Sequence, residues 1–270
     1  MRVDQYLYSN SFTESRQKAQ VLIKSGAVVI DGIRISKASF EIDESVIHDV
    51  VITNTEKYVG RGGLKLEGAL IEFKLDASGL VCADIGASTG GFTDCLLQNG
   101  AAMVYAFDSG RDQLHQKLKT DPRVISREGF NARYISPEDV GEQVDLAVMD
   151  VSFISQTMII PSLVSIIKDG GALVSLVKPQ FEAGRSAIGK NGIVKNGKDR
   201  YSAAIRVLES AELAGLSCRG FVRSSIKGGD GNEEYLIYLI KSPYENDKLE
   251  WRELIKTITM RTEKEVKIGK

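Results

Sequence analysis

Among residues that carry metal and disulfide chemistry, this 270-residue chain has few. It holds two histidines, His48 and His115, and three cysteines, Cys82, Cys95 and Cys218, with no Cys-x-x-Cys pair. Zinc is bound by clusters of such side chains at close spacing, so no metal is expected. The odd cysteine number, in mostly apolar sequence, fits a reducing interior better than a disulfide framework. No stretch approaches the roughly 18 apolar residues of a membrane helix, so no membrane partner is expected. The opening residues, Met1-Arg-Val-Asp-Gln, lack the apolar centre of a secretory signal, and the expected location is cytoplasmic. With a formal net charge of −1 there is no global pull towards nucleic acid. Any surface for it must be local.

What is present is ordinary for a soluble globular protein, 43% hydrophobic and 26% charged. The length suits two domains of about 150 residues or less. The composition shifts along the chain. Up to residue 37 there are six basic residues against three acidic ones, and the acids Glu41, Asp43, Glu44 and Asp49 follow. Ser15 to Ser25 reads as an amphipathic helix with Ala19, Leu22 and Ile23 on one face and Gly26 as its C-cap. Ala27-Val-Val-Ile30, Asp31-Gly32 and Ile33-Arg-Ile then read as a hairpin. A small α/β module with one basic face can meet phosphates, though a solvated charged face would look the same.

The rest is organised around Asp84-Ile-Gly-Ala-Ser-Thr-Gly-Gly-Phe-Thr-Asp94. The apolar run Leu80-Val-Cys-Ala leads in and the helix-like run Phe92-Thr-Asp-Cys-Leu-Leu leads out. Glycines there let a backbone approach a nucleoside where a Cβ would clash. The spacing is not that of a P-loop, so phosphate binding is the weaker reading. Ahead of it, 57–63 is glycine-rich and basic and reads as a connector. It is followed by a helix, Leu64 to Phe73, with Lys65 unfavourably placed in its first turn. The pattern divides the chain into residues 1–56, a linker 57–63, and a second domain, 64–270.

From Leu80 onward strands alternate with helices. Strands are expected at 80–85, 102–107, 123–126, 144–149, 171–177, 217–223 and 235–240, and helices near 92–99, 111–119, 155–168 and 198–214. This predicts an α/β fold, a doubly wound, mostly parallel seven-stranded sheet covered on both faces. Cofactors in such folds bind at the carboxyl ends of strands. Asp108 ends the second strand, 24 residues past Asp84, near the interval of an acid that holds ribose hydroxyls. Asp150 ends another strand, and Lys178-Pro179 ends the next. Glu234 opens a strand that would bring it to the same rim if antiparallel at the edge. The loop 182–198 is an ordinary surface loop or a basic lid, and 247–264 is an amphipathic helix with Trp251, Leu254, Ile255 and Ile258 on one side.

Lys65, Asp150, Lys178 and Glu234 thus form a candidate Lys-Asp-Lys-Glu set. Taken singly, each is more often a solvated charge. Together in a cleft they can tune a lysine to accept or polarise a hydroxyl proton.

Two resemblances sharpen this. Arg2-x-Asp4-x-x-Leu7 and Ser15-Arg16-x-x-Ala19-x-x-Leu22-Ile23-x-x-Gly26-x-Val28-x-Ile30-Asp31-Gly32 resemble the RNA-binding domain first seen in ribosomal protein S-four. That resemblance implies RNA contact through Arg2, Arg16, Lys18 and Lys24. Asp84–Asp94, Asp150-Val-Ser-Phe-Ile-Ser155, Lys178-Pro-Gln-Phe-Glu182 and Gly231-Asn-x-Glu234 resemble the TlyA (hemolysin A) family of ribosomal RNA 2′-O-methyltransferases, whose catalytic domain is FtsJ-like. It implies S-adenosylmethionine as cofactor, lined by Gly86, Gly90 and Phe92. Asp108 would hold its ribose, Glu128 would lie near its adenine, and Asp150 would sit at the methyl end. The substrate would be a cytidine ribose 2′-hydroxyl in ribosomal RNA of a ribosomal subunit. A nucleotide-dependent dehydrogenase shares the loop and Asp108 but not the basic module. A secreted pore-former lacks apolar or alternating segments to support it, and a non-catalytic ribosome-binding factor would keep the same fold.

Overall fold

The computed structural model describes residues 1–53, 57–242 and 248–261. The chain divides into two compact units, Met1–Lys57 and Tyr58–Lys270. In the first, helices α1 (Val3–Ser9) and α2 (Arg16–Lys24) accompany a three-stranded antiparallel sheet of β1 (Val28–Ile30), β2 (Ile33–Arg34) and β3 (Val50–Ile52), in the order β2-β1-β3. α2 begins where the Ser15 side chain accepts from Lys18 N–H at 3.2 Å. Asp31 and Gly32 both take positive φ, 50° and 77°, as a two-residue turn requires when Ile30 faces Ile33. Val3, Leu7, Ala19, Leu22, Ile23, Val28 and Ile30 fill the core.

Beside that apolar core lies a fully buried carboxylate, Asp4. Arg2 and Arg16 pair with it, each at 3.1 Å, and Gln20 Nε2 donates to it at 2.7 Å. Burial alone would raise its pKa, but the bonds from Gln20, Arg2 and Arg16 outweigh that and hold it at about 2.

The second unit adds α3 (Gly62–Phe73), β4 (Val81–Ile85), α4 (Gly91–Gln98), β5 (Met103–Asp108), α5 (Gln116–Lys119), β6 (Val124–Glu128), β7 (Val144–Met149), α6 (Ile160–Leu163), β8 (Ile167–Val177), α7 (Pro179–Glu182), α8 (Gly197–Leu213), β9 (Leu216–Arg223), β10 (Tyr235–Lys241) and α9 (Lys248–Met260). The seven strands from β4 to β10 form one sheet in the order β6-β5-β4-β7-β8-β10-β9. β4 to β8 run parallel, and β10 is antiparallel to both of its neighbours. β10 is therefore an inner strand, not the edge strand its sequence suggested. Successive residues serve opposite faces. Ala83, Tyr105, Phe107, Ala147 and Met149 enter one core, while Cys82, Val104, Ala106, Leu146 and Val148 enter the other. Such two-sided burial is why these strands read as continuous apolar runs.

Three expectations are corrected. The helix expected at 111–119 is only α5, because Asp112 takes φ 56° and the N–H groups of Asp112, Gln113 and Leu114 turn to the Glu128 carboxylate. The helix expected at 155–168 is broken into short turns around Pro161, and the β-branched Ile167 already belongs to β8. The connector 57–63 belongs largely to the second unit. Tyr58 is buried, Val59 N–H donates to Asp94 Oδ2 at 2.9 Å, and Gly62 and Gly63 open α3. Its glycines serve close packing, since a Cβ on Gly91 would lie 2.9 Å from Gly63 N and 3.1 Å from Gly60 O. Of the expected C-terminal helix 247–264, Asp247 and 262–264 lie outside the described residues.

Replacing Asp4 with alanine strands two arginines and is expected to weaken the first unit by about 3 kcal/mol. Amide hydrogen exchange should quicken within residues 1–53 and stay unchanged in 58–242. Asp4 is held below its ordinary pKa of 3.8, so its stabilisation is complete above that pH and is lost as pH falls towards 2. An Asp4→Asn chain should lack that acid-induced loss.

Candidate active site

The site forms where the sheet reverses its strand order, between β5, β4 and β7. Ile85 faces Met149 in register, which sets Gly86 beside Asp150. Asp150 N–H donates to Ile85 O at 2.9 Å, and Gly86 N–H donates to Phe107 O at 2.8 Å. Gly86 has φ 85°, and a Cβ there would lie 2.7 Å from Asp150 O. A side chain at this point would push the two strand ends apart. The result is a cavity of about 600 Å³ bounded by Gly86, Asp108, Phe130, Asp150, Val151 and Ile159. A smaller one of about 200 Å³ adjoins the same residues and reaches Phe92 and Lys178.

The four predicted charges form two ion pairs, of which Lys178–Asp150 lines the smaller cavity while Lys65 and Glu234 line neither cavity. Lys178 Nζ lies 2.6 Å from Asp150 Oδ1 and donates to Ser152 Oγ at 2.8 Å. Lys65 Nζ donates to Glu234 Oε2 at 2.5 Å, with both side chains nearly buried. Tyr235 faces Val177 across β10 and β8, so Glu234 and Lys178 each lie one residue beyond that pair. Removing one member of either pair would leave a costly buried charge. Gly228 leaves room for Glu234, whose Oε1 a Cβ would meet at 2.5 Å.

The other predicted residues divide. Phe92, in the first turn of α4, is buried and lines the smaller cavity. Asp108 lines the larger one, where Oδ2 accepts from Ser88 N–H at 2.7 Å and Oδ1 from Gly110 N–H at 2.6 Å. Gly90 lines neither. It has φ 96° at the start of α4, and its Cβ direction is filled by Leu118 and Leu114. Glu128 also stays outside the cavities. Leu114 N–H leads the bonds that hold its carboxyl down at about 2, followed by Gln113 N–H, with Lys119 3.3 Å away. Glu128 anchors the loop at the cavity's edge.

The loop 182–198 is less free than its glycines suggested. Buried Asn232 accepts from Val194 N–H at 3.0 Å and donates to Gly192 O at 3.0 Å, tying that loop to the turn before Glu234. Two residues at the rim were missed. Ser152 takes the Lys178 bond, and Phe153 is 93% exposed with φ 64°. Their signal lay in Asp150-Val-Ser-Phe, a hydroxyl and an aromatic directly after a strand-ending acid. In the first unit, Arg2 and Arg16 commit part of their charge to Asp4, and Lys24 is exposed.

The sheet order and this rim define a class, the doubly wound methyltransferases. Residues 58–241 match the FtsJ-like methyltransferase family, and residues 1–47 match the S4 domain. The 16S/23S rRNA (cytidine-2′-O)-methyltransferase TlyA of Mycobacterium tuberculosis is 41% identical, over 88% of this chain and 89% of that one. Hemolysin A of Brachyspira hyodysenteriae is 42% identical, over 89% of this chain and all (100%) of its own length. A Streptococcus thermophilus structure with a provisional hemolysin name superposes with TM-score 0.76 at 42% identity, over 100% of this chain and 98% of that one. The chain belongs to the TlyA (hemolysin A) family of FtsJ-like methyltransferases.

Beneath the rim, Asp84 is fully buried and accepts from Thr93 N–H at 2.9 Å and Thr93 Oγ1 at 2.7 Å, while its Oδ1 has no hydrogen-bond partner among the described residues. Burial, above all, pushes its pKa up to about 7, with the charge of Asp150 adding to the rise. A raised carboxyl pKa means that stability is greatest where Asp84 is protonated in both states, and falls as pH climbs from 3.8 to about 7. Asp84→Asn should remove that slope. Its stability relative to the parent, measured by urea unfolding, should rise steadily between pH 4 and pH 7.

Proposed function

We propose that this chain transfers a methyl group from S-adenosylmethionine to the ribose 2′-hydroxyl of a cytidine in ribosomal RNA, acting on ribosomal subunits. The observation that carries the reading is the Lys178–Asp150 pair at 2.6 Å, on the lip of a cavity floored by Gly86. The relatives support it, since the Mycobacterium tuberculosis protein is named for that activity.

The cavity suits the cofactor. About 600 Å³ is the scale of a small-ligand site, and Phe107, Phe130, Val151 and Ile159 offer apolar walls to a base. Asp108 stands at its mouth as an acceptor for a ribose diol. Asp150, between the two cavities, would face the reacting end. When bound, S-adenosylmethionine supplies an electrophilic sulfonium methyl.

This chain's own residues do the rest. Lys178 Nζ polarises or deprotonates the 2′-hydroxyl as the ribose oxygen takes the methyl in line, with the electron pair of the broken methyl–sulfur bond staying on sulfur, which leaves as a neutral thioether. The hydroxyl proton passes into the Lys178–Asp150 pair. Lys65 and Glu234, nearly buried and bonded to each other, orient the ribose and set the charge balance beside it. Positioning supplies much of the rate, because the methyl is already activated. Phe153, exposed at the rim, offers a face on which a base can stack. The basic residues of the first unit, Arg2, Arg16, Lys18 and Lys24, hold RNA phosphates in this reading. No metal takes part, and a cytoplasmic location follows from the substrate. Among the described residues no helix is long and apolar enough to cross a membrane, which gives the pore-forming alternative no helical support.

Lys178→Ala should lower methyl transfer by about 10³-fold or more, while calorimetry still shows S-adenosylmethionine binding. Mass-spectrometric mapping of ribose methylation, with ribosomal subunits as substrate, reads the outcome. Retained turnover would sink the role of Lys178.

A further inference from the structure

Glu182 closes α7, the single turn that opens just after Lys178, and it is only 2% exposed. Its carboxylate turns away from both cavities and towards the segment that follows Asp150. Oε2 accepts the Ser155 hydroxyl at 2.5 Å, and Oε1 accepts Gln156 N–H at 2.9 Å. Gln156, also buried, donates from Nε2 to Leu176 O at 2.6 Å and accepts the Ser175 hydroxyl at 2.7 Å. One polar cluster thus stitches 155–156 to the end of β8 and to α7.

The same two segments meet a second time above it, where Lys178 reaches Asp150 and Ser152. Between the two fastenings runs Phe153 in the left-handed region, which costs a bulky residue about 1–3 kcal/mol. Phe153 is exposed, with its ring centroid 5.2 Å from that of Phe181, so its own burial does little to hold the turn. The fixed ends must hold it. Glu182 forms no ion pair among the described residues, and Arg206 meets its backbone carbonyl rather than its carboxylate. Burial raises its pKa, against the bonds from Gln156 and Ser155 and the nearby charge of Arg206. A buried carboxylate with no cation in contact with its oxygens among the described residues is an expensive way to join two segments if packing were all that it did.

We propose that Glu182 is a positioning residue of the methyl-transfer site. Its carboxylate fixes the 150–156 segment against α7, so that Asp150, Ser152 and Lys178 keep one mutual geometry. This rests on the methyltransferase reading above, but names a residue that touches neither cofactor nor ribose.

The test uses the full chain with Glu182→Gln, Ser155→Ala, the double variant, and Lys178→Ala as the inert reference. An amide keeps the shape and can still accept from Gln156 N–H, but its NH2 can only donate, so the charge is lost and the Ser155 hydroxyl must turn round to accept. The expected result for Glu182→Gln is a fall of about 10- to 100-fold in kcat, the scale of a small misplacement at the site. KM for S-adenosylmethionine and for ribosomal subunits should stay within about twofold, since only positioning is lost. Ser155→Ala should fall less, and the double variant should be no slower than Glu182→Gln, because both disturb one shared bond. Wild-type kcat in Glu182→Gln beside an inert Lys178→Ala overturns the inference and leaves the methyltransferase reading standing. So does a raised KM at unchanged kcat, or additive losses in the double variant. A parent chain that transfers no methyl group overturns both.

Discussion

The chemistry of the larger unit depends on one close approach, that of the ends of β4 and β7. Ile85 and Met149 lie in register, and the chain passes from them into Gly86 and Asp150 almost in contact. Because Gly86 has no Cβ, Asp150 can follow its strand without being turned aside. The cavity lies at this sheet reversal, and Lys178 reaches Asp150 from the next strand, β8. Asp84, one residue before Ile85, shares the cost. It lies fully buried, with one oxygen unpartnered among the described residues, and that burial raises its pKa. An alternative built for stability alone would place an apolar residue there.

The ion pairs argue the same way. Pairs as buried as Lys65–Glu234 seldom stabilise a fold more than apolar residues of equal volume, since desolvation consumes the attraction. Both pairs lie where strands end, and each is completed from a different element, α3 with β10 and β8 with β7. They specify the relative placement of four elements, and the Lys178–Asp150 pair does so where it lines the cavities. That favours a reading in which charge at this rim is used on a substrate.

Much of this was legible in the sequence, and the reasons are physical. Buried parallel strands must be apolar on both faces, so runs such as Val144–Met149 declared themselves, and their ends pointed to Asp150 and Lys178. Asp31-Gly32 announced its hairpin because few other pairs accept positive φ twice. What misled was local pattern overruled by a distant partner. The stretch 111–119 has a helical look, yet Asp112 takes φ 56°, outside the helical region, and Glu128 gathers the amides of 112–114 into a loop. The glycines of 60–63 looked like a flexible linker, yet they press against Gly91 in the glycine loop after β4. Gly90, expected to line the cofactor site, packs against Leu114 and Leu118 instead of a cavity, and Glu128, expected near the adenine, holds the loop 112–114 by its carboxylate. Lys178 was visible as a strand end, but its bond to Ser152 needed the turn through Phe153 to be seen.

The first unit shows the complementary limit, that charge counted along a sequence is not charge offered to a partner. Six basic residues in its first 37 suggested a basic face. Two of them, Arg2 and Arg16, close around Asp4, whose low pKa keeps it ionised across the physiological range. The motif Arg2-x-Asp4 and the later Arg16 therefore belong to one another before they belong to RNA. Their guanidinium groups remain nearly half exposed, with side chains at 46% each, so each can still donate outward from a fixed position. An arginine fixed in this way loses less rotamer freedom on meeting a phosphate than an unrestrained lysine does, which turns part of the folding of this unit into preorganisation for its ligand.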